Sequence, residues 1–196
     1  MSGDGESGAQ SRRRFLQTAA GAAAAFVIAG CTSHKKATRS SLPDGDNAVF
    51  GARIDAGPIA PILRSIATEH VPYYVPVARA YVSRFPAAHI AQAKRHYPDA
   101  AQSSLDAGVV VLYQRCTHLG CRVPFCKSSQ WFECPCHVAR FDRVGEYRDG
   151  PAPRGLDLMH ASVENGRLII DSGRIVTGRP SGTNTTHQEP SGPFCA

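Results

Sequence analysis

No run of apolar residues in this 196-residue chain is long enough to read as a membrane-spanning helix. The longest candidate, Phe15 to Gly30, has 16 residues and is largely alanine. A bilayer core asks for about 17 to 25. No cluster of lysine and arginine is interleaved with aromatic residues, which excludes the charged, base-stacking surface of a nucleic-acid binder, so no nucleic acid is expected as a partner. No internal repeat is visible. The single tryptophan, Trp131, reads as core packing.

What the amino-terminal region does carry is an address. Ser11-Arg12-Arg13-Arg14-Phe15-Leu16 has the pattern of a twin-arginine export signal, followed by small apolar residues from Ala19. This route exports proteins already folded. Ile28-Ala29-Gly30-Cys31 has the pattern of a bacterial lipoprotein cleavage box, with Cys31 as the lipidated residue; the rival is an uncleaved transmembrane anchor. Residues 1–30 are thus expected to be a signal peptide and 31–47 a lipidated cysteine with a flexible linker. Removing 1–30 takes away three arginines and two acids, lowering the net charge of +6 by one. Lys35, Lys36 and Arg39 then hold much of the remainder beside the membrane, where anionic lipid headgroups would attract them. The expected location is the cell membrane, on its extracytoplasmic side.

Two boxes carry the chemistry, Cys116-Thr117-His118-Leu119-Gly120-Cys121 and Cys134-Pro135-Cys136-His137. Two thiolates and two imidazoles can hold a 2Fe–2S cluster asymmetrically, cysteines on one iron and histidines on the other. Structural zinc is the competing use of such a set, but zinc motifs usually put two to four residues between paired ligands. Cys116 and His118 have one residue between them, an awkward bite for a single ion and a natural one for two irons. The boxes hold more cysteines than a cluster needs, and the residues alone do not say which are left over. His70, His89, His96 and His160 have no cysteine or carboxylate at ligand spacing and read as surface or satisfied core residues. Cys126 and Cys195 are unassigned; a pairing between them is open, and nothing in the sequence requires it.

At these boxes the chain resembles the Rieske iron–sulfur proteins, most closely the Rieske subunit of quinol–cytochrome c reductases of the cytochrome bc type. The resemblance is surest from Gly108 to Gly173. It implies a 2Fe–2S cofactor on Cys116, His118, Cys134 and His137, and a disulfide between Cys121 and Cys136 stapling the two loops, which needs an oxidising compartment. It also implies that Gly150-Pro151-Ala152-Pro153 is the proline loop that covers the cluster. By resemblance His137 is the quinol contact, with His118 beside it, and the partners are cytochrome b and c-type cytochrome subunits, a quinol and membrane lipid. The subunit itself would carry only the electron, with no independent catalysis. A small Rieske subunit of an exported molybdenum oxidase of the arsenite oxidase type is the alternative. Soluble ferredoxins of ring-hydroxylating oxygenases lack the second cysteine pair. The chain departs from high-potential members, which read C-P-C-H-G-S-x-Y where this one has Val138-Ala139-Arg140-Phe141 after His137. Ala139 and Phe141 lack the hydroxyls that donate to cluster sulfurs in the family, which implies a lower potential.

The expected fold is mostly β, the Rieske iron–sulfur fold of small antiparallel sheets with cluster-binding loops at one tip, over residues 48–178. Ala48–Ile54, Tyr73–Val77 and Ala80–Phe85 read as extended, Ala60–Thr68 and Ala87–His96 as short helices bounded by prolines. Gly108–Gln114 and Gln130–Glu133 are apolar runs leading into the two boxes. Asn165-Gly166 between Ala161–Glu164 and Arg167–Asp171 signals a hairpin. Residues 179–196 have the composition of a disordered tail.

Overall fold

A computed structural model describes residues 50–196 of the chain. The expected signal peptide, Cys31 and the linker lie outside the described residues. Among the described residues no helix is long and apolar enough to cross a membrane.

The centre of the fold is the run Val109–Tyr113, β4 here, whose five side chains are all buried. A strand buried on both faces must have sheet neighbours and a core on each side. It pairs antiparallel with Ala80–Arg84 (β3) and Leu158–Glu164 (β9), within a six-stranded sheet. That sheet is completed by Arg53–Pro58 (β1), Tyr73–Val75 (β2) and Arg167–Val176 (β10), in the order β1-β10-β9-β4-β3-β2. Asn165-Gly166 turns β9 into β10, with both residues at positive φ, as a two-residue hairpin requires. Helix α1, Ile59–Glu69, begins after Pro58 and lays Ile62 and Ile66 on one face of the sheet, in a core with Val82, Val111, Leu168 and Ile170. Pro58, with its fixed φ, is well suited to precede the first turn, and so the helix begins one residue before Ala60.

On the other face lies a second core built around Phe85, Phe132 and Phe141, all fully buried. Each such side chain contributes roughly 1.5–3 kcal/mol of transfer free energy. Two helices cover it, Ile90–His96 (α2) and Asp99–Asp106 (α3). The sequence reading did not include α3. Its apolar face is only Ala101 and Leu105, too little to register as a periodic pattern. A four-stranded antiparallel sheet completes this side, from Phe125–Cys126 (β5), Trp131–Glu133 (β6), Arg140–Phe141 (β7) and Tyr147–Asp149 (β8). The mostly β expectation therefore holds, with two antiparallel sheets.

The carboxyl-terminal segment corrects the sequence reading. Residues 179–196 were expected to be a disordered tail; instead they form a strap bound to the small sheet. Glu146, itself buried, accepts the backbone N–H of Thr185 at 2.7 Å and the hydroxyl of Thr185. Glu133 accepts the backbone N–H groups of Cys195 at 2.7 Å and Ala196 at 2.8 Å. Cys126 and Cys195 form a disulfide, and Phe194 lies between Trp131 and the Arg140 guanidinium. Trp131 is buried in this contact. A polar segment that cannot build its own core is held here by acceptors belonging to the domain, which composition does not reveal.

The buried carboxylates beneath this strap produce a pH dependence. Burial, then the neighbouring Glu146 charge, pushes Asp142 from 3.8 up to about 7. The folded state thus keeps a proton that the unfolded chain releases from about pH 4 upward. The group's contribution to stability is present at low pH and is lost as pH rises from about 4 to 7, by on the order of a few kcal/mol. Denaturant titrations at pH 5 and pH 8 should show that fall, and Asp142→Asn should flatten it.

Candidate metal centre

Each box is closed by its own backbone. In the first, the Cys116 N–H donates to the Cys121 carbonyl at 2.7 Å and the Gly120 N–H to the Cys116 carbonyl at 2.8 Å. In the second, the Cys134 N–H donates to the Ala139 carbonyl at 2.9 Å and the Val138 N–H to the Cys134 carbonyl at 3.0 Å. Two turns of this kind put a buried cysteine at each base and a histidine near each apex. The large sheet delivers the first through β4 and the small sheet the second through β6 and β7.

The structure joins Cys121 to Cys136 with Cα atoms 6.7 Å apart, bridging the two loops. Cys116 and Cys134 are the free cysteines among the described residues, both buried in the core. The rings of His118 and His137 meet edge to face with centroids 4.8 Å apart. His118 is half-buried and His137 exposed. The four residues that the resemblance names as ligands are thus brought to one tip, thiols inward and imidazoles outward. Burial, with the adjoining Cys134 thiol, pushes Cys116 up to about 11. A thiol so shifted keeps its proton until a cation replaces it, and iron is such a cation. Two thiols and two imidazoles at one tip, with the other two cysteines of the boxes consumed by a disulfide, are a donor set that fits a 2Fe–2S cluster.

A third loop closes the site. The Thr117 hydroxyl donates to the Arg154 carbonyl at 2.8 Å, tying the first box to the segment after Pro153. Arg154 is itself held by a two-pronged pair with Asp157, both contacts 2.9 Å. Gly150 lies on the backbone of the second box, where a Cβ would come within 2.6 Å of the Ala139 Cα and 2.7 Å of the Val138 carbonyl. The Tyr147 hydroxyl donates to the Gly150 carbonyl at 2.5 Å. Ala152 is buried in the same core as Cys116 and Cys134. Sequence reasoning passed over Thr117 and Arg154, whose contacts are long-range. Val138, named above only as part of the departure from the family motif, holds a left-handed φ of 59°. That signal was available, because the family motif has glycine there.

The stapling disulfide carries an expected effect. Cys121→Ser or Cys136→Ser should lower the stability of the apo domain by about 3 kcal/mol, the chain-entropy value for a loop of this size. The loss should be smaller in the cluster-loaded protein, where metal ligation already joins the same loops. Denaturant midpoints of both forms check it.

Such a site defines a cluster-binding domain, and comparison with known proteins says which. Residues 94–163 match the family model of the Rieske [2Fe-2S] domain. The chain carries a Rieske 2Fe–2S domain, and its cofactor is a 2Fe–2S cluster. Among curated relatives, the cytochrome b6-f complex iron-sulfur subunit 1 of Nostoc sp. is 46% identical over 57 residues, 29% of this chain and 32% of that protein. The cytochrome b6-f complex iron-sulfur subunit of Nostoc punctiforme is 36% identical over 72 residues, 37% of this chain and 38% of that one. The chain thus matches only about a third of the length of these relatives. Among solved structures, a plasma membrane Rieske protein of Synechocystis is 21% identical with a TM-score of 0.41, covering 60% of this chain and 97% of that one. The soluble domain of Rieske protein II from Sulfolobus acidocaldarius is 16% identical with a TM-score of 0.42, covering 67% and 85%.

Proposed function

We propose that this chain is an exported, membrane-anchored electron-transfer subunit that passes single electrons from a quinol to a c-type cytochrome within a quinol–cytochrome c reductase. The observation that carries the reading is the exposed tip. His118 and His137 lie edge to face there, flanked by Leu119, 70% exposed, and Val138, 41% exposed. Apolar side chains presented to solvent beside two imidazoles suit an apolar ring bearing a hydroxyl. A bound 2Fe–2S cluster supplies a one-electron couple at this tip. His137 would bind iron through one ring nitrogen and use the other to accept the quinol proton, with His118 beside it, while Leu119 and Val138 exclude water from the contact. The relatives, as subunits of cytochrome b6-f complexes, support cytochrome partners for this chain. Anchoring is assigned to lipidated Cys31 in the extracytoplasmic leaflet, with the basic residues that follow it near the headgroups.

Purification of the tagged full chain from native membranes tests the assembly. Co-purification of a b-type cytochrome, with quinol-dependent reduction of the cluster, is expected. Recovery with a molybdopterin subunit and without a b-type cytochrome overturns it.

The potential is expected to be low for such a carrier. Ala139 and Phe141 are fully buried in the core that holds Cys116 and Cys134, and neither side chain can donate a hydrogen bond. Hydrogen bonds to sulfur stabilise the extra negative charge of a reduced cluster, so their loss lowers the potential. This favours a low-potential quinol such as menaquinol as donor. Ala139→Ser with Phe141→Tyr should raise the midpoint potential, most clearly in combination. Protein-film voltammetry reads it, and an unchanged potential removes the low-potential assignment.

A further inference from the structure

Away from the cluster tip, a cavity of about 400 Å³ opens between the end of α1, the exit of β3, β5 and the carboxyl-terminal strap. That volume is within the range of small-molecule sites. Its apolar part is formed by Ala67, Val71 and Phe125, its polar part by His70, Arg84 and Arg143. No acidic side chain lines it.

Arg143 is the informative residue. The Ser83 hydroxyl donates to its backbone carbonyl at 2.5 Å, and its guanidinium donates to the Gln130 Oε1 at 2.8 Å. Gln130 is itself fixed, in a left-handed backbone at φ 61° with its amide donating to the Lys127 carbonyl at 2.7 Å. Burial pulls Arg143 below the usual arginine value, opposed by the charge of Asp142 behind it. Asp142 is occupied by Thr186 and by backbone N–H groups, and Arg143 forms no ion pair among the described residues. A half-buried cation without an ion pair costs stability unless something else compensates it. Arg84, at the rim of the cavity, also has no ion-pair partner among the described residues. Two guanidinium groups and an imidazole over an apolar floor match one ligand chemistry.

We propose that this cavity is a second ligand site, which takes a small amphipathic carboxylate with its head between Arg84 and Arg143 and its apolar body against Val71 and Phe125. Guanidinium groups recognise carboxylates through paired N–H donors, which gives the head its orientation. The apolar body contributes in proportion to the area it buries. Gln188 reaches the cavity from the strap, so the site is complete only with the strap in place.

Isothermal titration calorimetry on the full chain with its cluster bound tests the proposal, using octanoate, octanol, acetate and inorganic phosphate. Octanoate should bind saturably with one site per chain, and octanol and acetate at least ten-fold more weakly. Arg143→Gln and Arg84→Gln should each weaken octanoate by ten-fold or more. Arg84 is exposed, so its variant remains informative if Arg143→Gln folds poorly. Equal affinity for octanoate and octanol would reduce the cavity to an apolar crevice and overturn the proposal. So would phosphate binding as tightly as octanoate, or Arg84→Gln leaving octanoate binding unchanged.

Discussion

His118→Ala and His137→Ala are each expected to abolish the low-average-g electron paramagnetic resonance signal of mixed cysteine and histidine ligation. The two rings sit edge to face at the tip, their loops joined by the Cys121–Cys136 disulfide, while the free thiols lie buried beneath. With one imidazole gone, its iron has no nitrogen ligand from that box, and the other described histidines belong to other segments. Loss of a ligand costs far more than loss of an outer contact, since each ligand's metal bond contributes directly to holding the folded site together. The disulfide and both cores remain in these variants, so the apo domain should stay folded by circular dichroism. An unchanged spectrum in either variant would remove that histidine from the ligand set.

Gly150→Ala should strongly destabilise the domain. Gly150 has φ +89°, in the region that side chains disfavour, and its missing Cβ faces the Ala139 and Val138 backbone. Those atoms belong to the closed turn of the second box and cannot rotate away as a flexible side chain would. The added methyl must push the third loop off the box, break the Tyr147 contact to the Gly150 carbonyl, or open the turn itself. Backbone clash and unfavourable φ together predict a loss of roughly 3 kcal/mol or more. Cluster retention should fall in parallel, because the loop that moves also contacts the first box through Thr117. Ala152→Gly, which removes a buried methyl from the same loop without a clash, should cost about 1 kcal/mol. Thermal denaturation and iron content measured on both variants distinguish the clash from a general sensitivity of the loop.

The parts legible in the sequence are those governed by neighbours along the chain. The apolar run into β4 and the Asn165-Gly166 hairpin are local patterns, and periodicity or turn chemistry reads them directly. The two boxes are local as well, since a histidine two or three residues from a cysteine is a ligand signature before any fold exists. Strands β5, β7 and β8 have two or three residues each, too short to show a period of two. They exist because each finds a neighbouring strand to pair with, β5 and β7 on β6 and β8 on β7.

By itself, then, the sequence determined the chemistry at the tip: which side chains carry sulfur and nitrogen donors, and which neighbours lack the hydroxyls that would tune a cluster. Tertiary structure alone decided how those donors are supported. It turned an apparently disordered tail into a strap, because Glu133 and Glu146 present buried acceptors and Cys126 lies within bonding reach of Cys195. It also set Gly150 against the second box and Arg154 against the first, and placed Arg84 and Arg143 around one cavity. Contacts between residues distant in sequence form only once two sheets have folded against each other. No local pattern encodes them, because their free energy comes from burial and hydrogen bonding in the assembled domain.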